Sequence, residues 1–139
     1  EGFRAGASLG AFINAGNLAE QFVSQQLWAK GSRNARPKLH YWLREGKSTN
    51  AEVDFVLPGP ETPVPVEIKA GSTGTLRSLH QFMLRFPAGQ AIRLDASPPS
   101  FQEIETTVSS SGGREQVRCR LSNYPLYFAG RLAEFVQRC

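Results

Sequence analysis

The chain is predicted to fold as a mixed α/β domain, a central mixed β-sheet flanked by helices. Three observations carry this. Short runs with a two-residue apolar period alternate with stretches at helical spacing. Two of those runs are joined by a polar turn of hairpin length. The resulting order, helix, three strands, helix, strand, an optional strand, helix, implies a mixed sheet with flanking helices.

Each element has its own signal. Residues 1–15 are small and Gly/Ala-rich and read as a remnant or linker ahead of a domain over 16–139. Gly16-Asn17 offers a helix start, and Leu18, Ala19, Phe22, Val23 and Leu27 fall on one broad arc that ends near Lys30-Gly31. Glu20 projects at the edge of that arc. Residues 38–44 alternate, with Leu39, Tyr41 and Leu43 opposite His40, Trp42 and Arg44. Residues 51–57 return as a second strand after a polar turn, and Pro58-Gly59-Pro60 breaks it. Residues 64–70 read as a third strand, 75–86 as a helix with Leu76, Leu79, Met83 and Phe86 at helical spacing, and 91–94 as a short strand. Residues 95–116 read as a Ser/Thr/Pro/Gly-rich loop with at most one strand near 101–108, and Ser109 to Gly113 looks like a linker. Val117, Cys119 and Leu121 alternate as a late strand. Asn123 is expected to cap a final helix whose stripe is Leu132, Phe135 and Val136.

Composition bounds the function classes. The 139 residues fit one domain, with 40% apolar and 20% charged residues, ordinary globular usage that argues against disorder. Net charge +4 with pI about 9.4 permits a nucleic-acid partner without requiring one. No apolar run reaches the roughly 20 residues of a membrane span, so no membrane partner is expected. Cys119 and Cys139 form no disulfide framework or zinc spacing, which suits a reducing cytoplasm. The chain begins at Glu1 and reads as a piece of a longer protein.

The chemistry-bearing residues lie on the second and third strands. Divalent-ion phosphodiester hydrolysis needs hard oxygen ligands and a cation to stabilise developing charge or orient water. Asp54 is embedded in the apolar run Val53-Asp54-Phe55-Val56, and Glu67 in Val66-Glu67-Ile68, where a charge is costly without a role or a partner. Strand alternation puts Lys69 on the same side as Glu67 and leaves Ile68 pointing into the core with its carbonyl available. A lone Glu-x-Lys on a strand is more often a solvated ion pair. Arg44, Lys47, Arg77 and Arg85 flank the site in sequence and would contact phosphates if they cluster. Trp42 could stack on a base or simply pack. His40 and His80 lack zinc spacing and favour structural or surface roles. Gln81 is a weak candidate for supporting the site, and Ser72 and Thr73 lack the partners of a hydrolase triad.

Glu20, Asp54 and Glu67-Ile68-Lys69 resemble the PD-(D/E)xK nuclease superfamily, with Val53 where a proline often precedes the aspartate. More closely, the chain is similar to the DUF4143 domain found at the C-terminus of many prokaryotic AAA-type ATPases. The similarity rests on Gly16 to Val23, Tyr41 to Arg44, Glu52 to Val56, Val66 to Gly71 and Pro125 to Ala129. The resemblance implies a restriction-endonuclease-like core. It implies Mg²⁺ (or Mn²⁺) held by Asp54, Glu67 and the Ile68 carbonyl, Lys69 as the catalytic lysine, and Glu20 completing the site. It further implies DNA as substrate and an N-terminal ATPase module in the same protein. No G-x-x-x-x-G-K-[ST] run occurs here, so this segment is not expected to bind ATP through one. The alternative is an inactive module of that ATPase that binds nucleic acid or a partner, or that assembles homo-oligomers through Leu9, Phe12 and Ile13.

Overall fold

In the computed structural model, residues 9–31, 38–45, 50–70, 75–110 and 112–136 are described, with the side chains of the first helix described from residue 15 onward. The predicted class holds: a six-stranded mixed sheet is flanked by three helices. Helix α1 spans Leu9–Ala29, so it starts well before the Gly16-Asn17 signal. Strands β1 (His40–Arg44), β2 (Ala51–Leu57) and β3 (Val64–Ile68) pair antiparallel in succession. Helix α2 (Arg77–Arg85) crosses over to β4 (Gln90–Asp95), parallel to β3. Strand β6 (Gly113–Pro125) lies parallel to β4, and β5 (Ser100–Ser110) closes the order β1-β2-β3-β4-β6-β5.

The two faces of the sheet bury different stripes. On one, Ala19 and Val23 of α1 pack with Phe55, Val64, Val66, Ile68, Ile92 and Leu94. A 3-10 turn (Leu126–Arg131) and helix α3 (Leu132–Val136) add Ala129, Leu132 and Val136 to that layer. On the other, Leu79, Phe82 and Met83 of α2 pack on Val53, Ala91, Val117, Cys119 and Leu121. Every residue of β3 is buried, as expected of a central strand covered on both faces.

Two expectations need correction. Residues 95–116 are mostly strand: β5 and β6 form a long hairpin with partners running from Ser100↔Asn123 to Ser110↔Gly113. The apparent linker is its turn, where the Gly112 N–H donates to Ser110 Oγ and Gly113 takes φ +127°, a conformation that disfavours a Cβ. Ser and Thr line β5 because most of this edge strand faces solvent. Asn123 is also not a helix cap. It sits inside β6 and its amide donates to Asp95 Oδ1 at 3.1 Å. Asp95 also accepts from the Ser97 N–H at 2.7 Å and pairs with Arg93 at 3.0 Å. Burial pushes the Asp95 carboxyl up, but the Ser97 amide, Asn123 and Arg93 outweigh it and hold it below its ordinary value. Pro125 instead precedes the 3-10 turn, and the stripe Leu132, Phe135, Val136 packs as expected.

Candidate active site

The site forms where β2 and β3 part. Their ladder runs Leu57↔Val64, Val56↔Pro65 and Phe55↔Val66. One residue further, Asp54 supplies its side chain in place of a ladder partner: Oδ2 accepts the Ile68 N–H at 2.6 Å. A bulge in β2 prepares this. From His40 to Trp42 β1 advances two residues while β2 goes from Val56 to Val53, three residues. Val53 consequently faces the α2 layer and Phe55 the α1 layer, although strand alternation would put them together. Bulges re-aim side chains in this way, and here the residue at the break is Asp54. The chain leaving β3 is pinned by the Lys69 N–H, which donates to the Leu94 carbonyl at 2.8 Å.

Glu67 is buried, and the Lys69 ammonium donates to its Oε1. Its other oxygen, Oε2, is buried without a hydrogen-bond partner among the described residues. An orphaned carboxylate oxygen is costly unless something electropositive completes it. Glu20 stands on α1 one step round from the buried Ala19 and Val23. It lines a small cleft, about 190 Å³, with Glu52, Asp54, Tyr41 and His40.

The electrostatics are those of crowded carboxylates. Burial first, then the charges of Asp54 and Glu52, raise the Glu20 carboxyl above its ordinary value. Burial raises Asp54 despite the Ile68 amide and Lys69, which both favour its charged form. Glu67 is raised by burial and by Asp54 and Glu20, against the opposing pull of Lys69. Three acids held towards their neutral forms with one lysine beside them mark a place where added positive charge would be favourable.

These residues fit a hard divalent ion. Among the described residues no group of three or more His, Cys, Asp or Glu side chains stands close enough together to hold a metal ion. Mg²⁺ does not need one, because it commonly takes one or two carboxylates and completes its shell with water and substrate phosphate. Asp54 and the orphaned Glu67 oxygen supply that donor chemistry. The Ile68 carbonyl expected as a ligand belongs to the residue whose amide holds Asp54.

Thus Asp54 meets Ile68, Glu67 meets Lys69, and Glu20 shares a cleft with Asp54. Of the basic residues expected nearby, Arg44 and Arg77 do not join them. Arg44 and Arg77 line a different cleft on the α2 face, where Arg44 Nη1 donates to Gln81 Oε1 at 2.7 Å. Gln81 is thereby committed to Arg44, and its amide donates at 3.5 Å to the Ser109 carbonyl. Trp42 packs edge-on against Phe82, with ring centroids 5.5 Å apart. His80 is half-buried on α2 and His40 is exposed at the carboxylate cleft. Lys47, Ser72, Thr73 and Cys139 lie outside the described residues, as do the side chains of Leu9, Phe12 and Ile13. No helix of the described residues is long and apolar enough to cross a membrane.

Glu52 is the site residue that sequence reasoning missed. A signal existed: it stands two positions before Asp54 in the same strand, and strand period two directs both to one face.

A family model described as a domain of unknown function, DUF4143, matches residues 15–108. No curated protein matches the chain, and no solved structure does.

Proposed function

The chain belongs to the DUF4143 family, and from that premise we propose that it is a divalent-metal-dependent nuclease domain hydrolysing phosphodiester bonds in DNA. The observation that carries the reading is the orphaned, buried Glu67 oxygen beside Asp54 and Lys69, where the sheet opens. On this reading the mixed sheet is a restriction-endonuclease-like core of the PD-(D/E)xK superfamily. The domain would work with an AAA-type ATPase module of the same protein.

Asp54 and Glu67, with the Ile68 carbonyl, would hold Mg²⁺ or Mn²⁺. When bound, the ion supplies Lewis-acid polarisation of a phosphoryl oxygen and a lowered pKa for water. Lys69, already turned to Glu67, is placed to orient the attacking water and offset charge growing on the phosphate. Glu20, whose carboxyl burial raises above its ordinary value, would hold that water or exchange a proton with it. The Ile68 amide keeps Asp54 in one position, so the ligand does not have to be ordered during the reaction.

Calorimetric titration with Mg²⁺ tests the site directly. Saturable binding by the wild type that is lost in Asp54→Asn supports it. Equal binding, or none, in both proteins counts against it. A second reading, an inactive module that binds nucleic acid or a partner for the ATPase, is favoured by one observation: among the described residues no group of three or more His, Cys, Asp or Glu side chains is placed to hold a metal ion. It predicts DNA binding that is unchanged by Asp54→Asn and no cleavage under any metal.

A further inference from the structure

A cleft on the α2 face, away from the carboxylates, encloses about 650 Å³. It is bounded by the end of β1, the first turns of α2 and the tip of the β5–β6 hairpin. Arg44, Arg77 and His80 line it, and among its described lining residues there is no carboxylate. That segregation stands out in a chain with 12 acidic residues.

Two buried nitrogens of residues lining this cleft have no hydrogen-bond partner among the described residues. Arg44 is steadied through Nη1 by Gln81, while its Nε is buried with no hydrogen-bond partner among the described residues. His80 Nε2 is in the same condition. Gln81 is fixed in turn by the Ser109 carbonyl of the hairpin, so the guanidinium is held from two elements. The α2 helix opens on the cleft with Leu76 as its N-cap, which offers no side-chain acceptor, and its first turn holds no acidic residue. Its positive end therefore adds to the same field.

We propose that this cleft is a phosphate-binding pocket for nucleic acid, in which Arg44 and Arg77 grip a phosphate and His80 completes its hydrogen bonding. A planar guanidinium held from behind suits a tetrahedral oxyanion. The proposal goes beyond the nuclease reading and does not require the carboxylate site to cleave anything. Ala51 lines the phosphate cleft, and the next residue, Glu52, lines the carboxylate cleft on the other face of the sheet.

The test uses the metal-free protein in EDTA with inorganic phosphate as probe, followed by NMR of the imidazoles. The chain has two histidines, so comparison with His80→Asn assigns the signal. Saturable movement of the His80 resonance is expected, with its titration midpoint rising, because burial holds His80 below its ordinary value and a bound anion opposes that. Arg44→Gln and the exposed-site variant Arg77→Ala should each weaken phosphate about tenfold or more, the scale of one charge-assisted hydrogen bond. Arg77 is exposed, so that variant leaves the fold intact. Asp54→Asn should respond as the wild type does, which separates this result from the fate of the metal site. Competition by a 5′-phosphorylated trinucleotide alone would assign the pocket to a strand end. Equal competition by its 5′-hydroxyl counterpart would assign it to the backbone. No saturable shift at His80, or a shift indifferent to both arginine variants, would overturn the proposal.

Discussion

Asp54 carries two roles that a pair of substitutions can pull apart. Its carboxylate accepts the Ile68 N–H at 2.6 Å where the β2–β3 ladder has ended. Asp54→Ala removes that acceptor and leaves an amide next to a buried strand without a partner, at a cost of about 1–3 kcal/mol. Asp54→Asn retains an oxygen that can accept the same bond and removes only the charge. That charge is disfavoured by burial and by Glu52, so the metal-free Asn variant should be as stable as the wild type or more stable. With ~2.1 cal/mol/K of unfolding entropy per residue, the 139-residue chain should lose roughly 3–10 °C in Tm on Asp54→Ala. Thermal unfolding in EDTA followed by circular dichroism reads this. Equal losses in the Ala and Asn variants would refute the reasoning, because the charge and not the amide contact would then be what the fold depends on.

Other outcomes follow from the same geometry. Glu20, Asp54 and Glu67 are raised in the folded state, so at these three sites the folded protein binds more protons than the unfolded chain. Their contribution to metal-free stability therefore falls as pH rises from the ordinary values, 3.8 for Asp54 and 4.5 for the glutamates, through the raised ones. His80, lowered by burial, gives a slope of opposite sign up to its ordinary 6.5. The carboxylate part is accordingly read as the difference in urea midpoint between wild type and Asp54→Asn/Glu67→Gln, and parallel pH profiles would exclude it. Phe82→Ala, at a side chain only 2% exposed that also meets Phe86 at 5.0 Å, should cost about 3–5 kcal/mol in urea unfolding. A loss under about 1 kcal/mol would show that the α2 layer does not depend on it. The Cys119 thiol is pushed up to about 11 by burial and by Glu103. In a Cys139→Ser background it should resist a disulfide reagent at neutral pH until the protein unfolds. Rapid labelling of the native protein would contradict its placement in the core.

Much of the fold was legible because burial imposed a period. β2 was read to the residue, Ala51–Leu57, since Val53 and Phe55 alternate with polar neighbours and Pro58 ends the run. The β5–β6 hairpin was not legible, because an edge strand wet on most of its length has no apolar stripe to show. Its Ser and Thr residues look the same in a loop as in a ladder. Asn123 was misplaced for a related reason. A side chain that caps helices equally well satisfies a buried aspartate, and only the partner, Asp95, distinguishes the two roles. At the site, the spacing of Asp54, Glu67 and Lys69 was readable from strand alternation. The bulge that turns Asp54 toward Ile68 was not, because a one-residue mismatch with β1 leaves no mark on β2 alone. Arg44 and Arg77 were legible as basic residues. Their joint place on the opposite face depends on how the hairpin tip meets α2, a contact between elements far apart in sequence.

Asp54, Glu67 and Lys69 are proposed to make a metal-dependent phosphodiester-cleaving site. The most direct measurement is cleavage of end-labelled single- and double-stranded DNA with Mg²⁺ or Mn²⁺, by wild type, Asp54→Asn and Lys69→Ala side by side. The account predicts metal-dependent cleavage by the wild type that falls by at least about a hundredfold in each variant, the scale of losing one electrostatic contributor. Cleavage that persists undiminished in both variants, or none by the wild type with either metal although Asp54-dependent binding is intact, would contradict it.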